Sequence, residues 1–241
     1  MNRTSRRSKS RRNRSLVTRP AGVVAAAIVL IALFSALIGR AYVVPSGSME
    51  PTFHGCAGCD NDRIMAQKLT YYFSAPQPGD VVVFAGPPAW NVGFESRRST
   101  NVVVRGVQNL LAAAGLGAST ENILTKRVIA TGGQTVSCRA GDPAIMVDGQ
   151  PLVEDYLLDP PETDADFPGS SRACGGEFFG PVQVPEDSLW VMGDNRTASA
   201  DSRAHLGDIH QGTVPVDNVR GKVEFIISPP QRMGRVDHAQ P

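Results

Sequence analysis

The sequence predicts a mainly β, antiparallel domain, preceded by one membrane-spanning helix and interrupted by a loop-rich β insertion. Three observations predict it. A basic tail runs directly into an uncharged apolar stretch. After Arg40 the apolar residues come in short runs of Val, Ile, Thr and Phe, punctuated by Pro and Gly. One internal segment is dominated by Pro, Gly, Asp and Glu. At 41% hydrophobic and 20% charged over 241 residues, the chain has a globular composition with room for one sizeable core, which excludes wholesale disorder.

Residues 1–19 hold eight of the 24 Lys and Arg side chains and no acid, so the formal net charge of +1 conceals a remainder of 16 bases against 23 acids. Ala21 to Gly39 follows without a charge, and as a helix it would extend ~28 Å, about the thickness of a bilayer core. Lys and Arg are retained on the cytoplasmic side, which places 1–19 inside, a transmembrane helix over 20–39, and 40–241 outside the plasma membrane. The tail thus reads as a topology signal rather than a nucleic-acid arm. A cleaved secretory signal is the rival, but the run exceeds the usual ~7–15 residue apolar core of such signals. Its one small-x-small site is Gly39-Arg40-Ala41, which is poor.

Within 40–241 the expected strands are 63–68, 80–84, 123–131, 135–139, 145–147, 189–192 and 222–227, with a hairpin at Asp148-Gly149. The catalytic core is expected over 40–138 and 189–228. The inserted subdomain spans 139–188, and a polar tail over 229–241 frays. Residues 86–100 read as a Pro, Gly and Trp loop, with Trp90 placed to dip into the membrane interface. A short helix is expected over 101–115. Four cysteines outside the cytoplasm suggest disulfides; Cys56 with Cys59 and Cys138 with Cys174 is the simplest of three possible connectivities. No strand-to-helix pattern surrounds Cys56-x-x-Cys59, which argues against a redox active site. His54 is close by, but the second ligand pair of a structural zinc site is missing, so no metal is expected.

Three stretches carry chemistry. Pro45-Ser46-Gly47-Ser48-Met49-Glu50-Pro51-Thr52 sets two serines in a backbone restricted by prolines, where a hydroxyl can be presented beside N–H groups aimed at an oxyanion. In 122–133, strand alternation puts Lys126 on the face of Leu124, Val128 and Ala130. A lysine there is either on an exposed face or desolvated, and a desolvated amine is a competent general base. In 193–203, turn formers, hydroxyls and opposite charges crowd eleven residues behind an apolar strand, a density that is costly to bury unless the groups satisfy one another.

These stretches, with Pro78-Gly79-Asp80-Val81-Val82-Val83-Phe84, Lys126-Arg127-Val128-Ile129-Ala130-x-Gly132-Gly133 and Gly193-Asp194-Asn195-Arg196-x-x-Ser199-x-Asp201-Ser202-Arg203, occur in the order seen in bacterial type I signal peptidases, which the chain resembles from the basic tail to about Ile227. Gly-Cys-x-x-Cys after the serine motif and the Gly-Pro-Pro-x-Trp loop look like the actinobacterial branch. The resemblance implies a membrane-bound serine endopeptidase that cuts exported preproteins after Ala-x-Ala-like sites, with Ser48 as nucleophile and Lys126 as base. By the same resemblance Ser199 orients the lysine, Ser46 assists the oxyanion hole, and Arg127 with Asp194 and Asp201 with Arg203 are structural ion pairs. The family needs no cofactor. Its partners would be secretory preproteins, membrane lipid and the secretion translocon, and no nucleic acid.

The preference for small residues before the cut asks for shallow apolar pockets; Tyr42, Val44, Pro45, Met49 and Phe53 are candidate walls and equally candidate core. The sequence departs from the family at Gly133, where many relatives have Pro, which leaves the turn after the lysine strand open. His54, His205, His210 and His238 match no catalytic position. From Gly39 to Ser48 an extended chain reaches at most ~30 Å, so the nucleophile lies near the outer membrane surface. A self-cleaving repressor-type protease shares the Ser/Lys logic but requires a soluble DNA-binding module. A tethered, non-catalytic β-domain that binds exported proteins is the alternative from another class.

Overall fold

The computed structural model describes residues 39–91, 121–157 and 167–238 continuously, with scattered residues between 22 and 33 and between 93 and 108. Among the described residues fourteen strands run in chain order: β1 (Gly39–Val43), β2 (Arg63–Gln67), β3 (Val81–Ala85), β4 (Ile123–Thr131), β5 (Thr135–Cys138), β6 (Met146–Val147), β7 (Gln150–Pro151), β8 (Ser170–Ser171), β9 (Gly176–Glu177), β10 (Phe179–Gln183), β11 (Ser188–Met192), β12 (Val214–Pro215), β13 (Val219–Ser228) and β14 (Gly234–Arg235). The main sheet is antiparallel in the order β1-β2-β13-β3-β4-β11-β12, with β14 added to β13. A second sheet has the order β10-β5-β6-β7, and β8 pairs with β9.

Burial on both faces explains why β3 and β11 read as continuous apolar runs: all five residues of each are buried. One cluster gathers Val44, Met49, Phe53, Ile64, Ala66, Val81 and Val83. A second holds Val82, Phe84, Trp90, Val128, Leu189 and Val191. The third joins the two sheets through Ile129, Ala130, Val136, Phe179 and Trp190, the last two rings stacked at 5.3 Å. Asp148 and Gly149, with φ of 50° and 77°, make the turn between β6 and β7.

Some expectations need correction, and others fall on residues outside those described. Gly39, placed at the end of the membrane span, opens β1 and pairs with Gln67. Among the described residues no helix is long and apolar enough to cross a membrane. The scattered residues described from Gly22 to Leu33 are helical, and the rest of 20–38 lies outside the described residues. The face shared by Leu124, Val128 and Ala130 is broken, because the register of β4 against β11 shifts between Trp190 and Val191 with Ile129 as the extra residue on β4; Val128 and Ala130 then enter different clusters.

Trp90 does not face outward: it is 7% exposed, stacked on His205 at 4.2 Å, and its Nε1 donates to Asp208. The tail does not fray through residue 238, since β14 adds to β13, Val236 is buried and Arg232 pairs with Asp62 at 2.9 Å. Gly133 sits at φ 84°, a conformation closed to proline, so the turn after β4 is built differently from a Gly-Pro turn. Of the helix expected over 101–115, Asn101 is a bend, Val102, Val104, Gly106 and Gln108 are helical, and the remainder lies outside the described residues. Cys56 is bonded to Cys59, and Cys138 to Cys174. The second bridge ties β5 to the segment beside β9, at the root of the insertion.

Candidate active site

The interior position of β4 dictates the state of its lysine. β4 is paired on both edges, with Val82 of β3 opposite Lys126 and Met192 of β11 opposite Arg127. Pairing fixes which sheet face each side chain takes, and packing over that face leaves Lys126 4% exposed. Its Nζ donates to Ser48 Oγ at 2.7 Å. Burial, the largest influence, pulls the amine down from 10.5 to about 8; Asp201 and Asp194 oppose this, and Arg203 adds to it. A good fraction of Lys126 is therefore neutral just above neutral pH.

Ser48 is presented by a single 3-10 turn, Gly47–Met49, entered through an extended Ser46 (φ −142°, ψ 158°). Met49, 1% exposed, anchors the turn in the core. Asn195 grips its backbone from the other side: its N–H donates to the Ser48 carbonyl and its Nδ2 to the Gly47 carbonyl, each at 3.2 Å. Gly193 makes that approach possible, because a Cβ there would lie 2.4 Å from the Ser48 carbonyl oxygen and 2.3 Å from Ser199 Oγ. Ser46 Oγ is exposed and 3.4 Å from Ser48 Oγ, on the open side of the nucleophile.

Buried ion pairs hold the 193–203 segment. Arg127, fully buried, donates from Nε and Nη2 to the two carboxylate oxygens of Asp194 at 2.9 and 2.7 Å. Its Nη1 donates to the carbonyls of Gly79 and Asp237, and Thr52 Oγ1 donates to Asp194 at 2.6 Å. Arg203 forks onto Asp201 at 2.9 and 2.8 Å and donates to the carbonyls of Gly175 and Arg196. Although burial pushes the Asp201 carboxyl up, Arg203, Lys126 and the Gly193 N–H hold it below the usual carboxylate range.

Ser199 is placed differently from expectation. Its Oγ is buried against Gly193 and has no hydrogen-bond partner, so the bond to Lys126 is not made in this state. The five residues named as pocket walls also divide: Val44, Met49 and Phe53 are core, Tyr42 packs partly buried against them, and Pro45 is exposed. Packing accounts for their burial.

Sequence reasoning missed the insertion's contribution. Glu154 forms a buried pair with Arg196, whose Nη1 donates at 2.9 Å, and the Tyr156 ring lies under the Arg127 guanidinium at 4.0 Å. Asn195, Arg196 and Thr52 stood within quoted motifs without an assigned role. Glu154 and Tyr156 carried one usable signal: a buried Arg196 behind an apolar strand requires an acid from elsewhere.

The family model described as signal peptidase, peptidase S26, matches residues 17–228. Signal peptidase I of Mycobacterium tuberculosis is 54% identical over 220 residues, covering 89% of this chain and 74% of that protein. The probable signal peptidase I of Mycobacterium leprae is 51% identical over 225 residues, covering 87% and 76%. Probable signal peptidase I-1 of Synechocystis is 32% identical over 215 residues, covering 87% and 84%.

Proposed function

Because the chain belongs to the signal peptidase family, peptidase S26, we propose that it removes signal peptides from exported preproteins with Ser48 as nucleophile and Lys126 as general base. The observation that carries the dyad is a buried, desolvated amine 2.7 Å from a serine hydroxyl. Neutral Lys126 takes the Ser48 proton as Oγ attacks the scissile carbonyl. The resulting ammonium gives that proton to the departing amine of the mature protein, leaving an ester on Ser48. Water, deprotonated by the same amine, then attacks the ester and frees the signal peptide's carboxylate. Ser46 Oγ and the Ser48 N–H stabilise the oxyanion, and Ser199 supports the lysine from beside Gly193 once substrate excludes water.

A membrane anchor that ends before β1, over 20–38, with 1–19 in the cytoplasm, agrees with the charge asymmetry and with β1 starting at Gly39, so the nucleophile would meet bonds that emerge just outside the bilayer. Membrane lipid and the secretion translocon are the partners this topology brings near.

The direct test is to incubate the detergent-solubilised protein with a preprotein carrying one Ala-x-Ala site and read the product by mass spectrometry. Cleavage after the second Ala is expected; no product, or cutting within the mature region, contradicts the reading. Ser46→Ala is expected to lower kcat about a hundredfold to a thousandfold with KM little changed, as for loss of one oxyanion donor. Gly193→Ala is expected to lower kcat/KM about a hundredfold, since its methyl displaces Ser48 relative to Lys126. Wild-type kinetics in either variant would remove that residue from the account.

A further inference from the structure

The loop after the Ser48 turn carries a donor set that peptide hydrolysis does not use. His54, Cys56 and Cys59 bring a ring nitrogen and two sulfurs to within 4.8 Å of one another. The sulfurs are bonded to each other, yet this bridge is the accessible one: Cys56 is exposed and Cys59 half-buried, whereas Cys138 and Cys174 are both fully buried. A reductant in water reaches the first bridge far more readily than the second. Once open, the loop offers two thiols facing one imidazole, the ligand count of a zinc site that keeps its fourth position for water.

The surroundings are arranged for an ion as well. Glu50 Oε1 lies 2.6 Å from His54 Nδ1, the carboxylate–histidine contact that fixes ring orientation and leaves Nε2 to a metal. The loop is closed on itself by Cys56 N–H donating to Asn61 Oδ1 at 2.8 Å and by the His54 N–H donating to the Asp62 carboxylate at 2.8 Å. Its Gly55 rests on the backbone of Val44 and Ser46, so the site abuts the segment leading to Ser48.

We propose that the dithiol form of this loop binds one zinc-like divalent ion through Cys56 Sγ, Cys59 Sγ and His54 Nε2, in competition with the Cys56–Cys59 disulfide. A dithiol reductant breaks the S–S bond and leaves as its own cyclic disulfide, delivering two electrons and two protons to Cys56 and Cys59. Binding of the ion releases those two protons to water as the thiolates coordinate. Reoxidation by a disulfide of the surroundings expels the ion.

The test uses the full chain in detergent, reduced with a dithiol under native conditions, freed of reductant without air, and titrated with Co²⁺. Reduced wild type is expected to show two free thiols and a thiolate-to-cobalt absorption band that saturates at one ion per chain and is displaced by Zn²⁺. The oxidised protein should show none. His54→Ala and Glu50→Gln should each weaken cobalt about tenfold to a hundredfold. Alkylating the two thiols, or the Cys56→Ser/Cys59→Ser variant, should abolish the band. Absence of the band in the reduced protein, its survival after Cys56 and Cys59 are blocked, or unaltered affinity in His54→Ala each overturns the proposal. Preprotein cleavage by every variant serves as the folding control, and alkylated wild type stands in for any variant that fails it.

Discussion

Lys126→Met is expected to lower kcat/KM by roughly ten-thousandfold or more while making the protein more stable at neutral pH. The loss follows from removing the base that activates Ser48, and Ser48→Ala should lose a similar amount. The gain follows from burial. The unfolded amine holds its proton up to 10.5 and the folded one only to about 8, a penalty on the charged form on the order of 3 kcal/mol. Between those pH values the unfolded chain binds more protons, so wild-type stability rises with pH from about 8 towards 10.5 and carries the full penalty below 8. Methionine fills the same space with no charge to desolvate, so the variant's advantage should be largest at pH 6–7 and vanish near 10.5. Urea unfolding at pH 6.5 and pH 10 measures it; a variant less stable than wild type at pH 6.5 would contradict the description of a dry amine.

Asp194→Ala is expected to destabilise the domain by about 3–5 kcal/mol, because it leaves the fully buried Arg127 guanidinium without its bidentate partner. Thr52 loses its acceptor in the same stroke, and the grip of Asn195 on Ser48 loosens with the segment that carries both. Replacing both partners, as in Arg127→Met/Asp194→Leu, should recover most of the stability, since no buried charge is then left alone. Equal losses in the single and double variants would show that the cost lies in packing rather than in the uncompensated charge.

How much of this could be read from residues alone varied with length and burial. β4 was legible to the residue, because nine residues rich in Ile, Val and Thr end at a Gly-Gly turn. The apolar runs of β3 and β11 announced strands within one residue of their bounds. β8, β9, β12 and β14 were not legible, as two residues carry no period. β1 was hidden by its neighbour: Gly39 and Arg40 read as the end of the apolar span, and Ala41, Tyr42 and Val43 alone are too short to show a period.

At the site, strand alternation brought Lys126 into question but could not choose between an exposed and a desolvated amine. That choice required the Ser48 turn and the 193–203 segment, which long-range contacts bring over the Lys126 side chain. The buried Ser199 hydroxyl and the clamp from Glu154 and Tyr156 depend on side-chain rotation or on contacts between residues far apart in the chain, neither of which a local pattern carries.

The pH dependence of kcat/KM on a single-site preprotein tests the central claim most directly, since it reports the ionisation of the free enzyme's base. The account predicts a rate that climbs tenfold per pH unit below about 8 and then levels, as the Lys126 amine becomes neutral. A profile that is flat from pH 6 to 9, or one that levels near the ordinary histidine value, would show that some group other than this buried lysine takes the proton from Ser48.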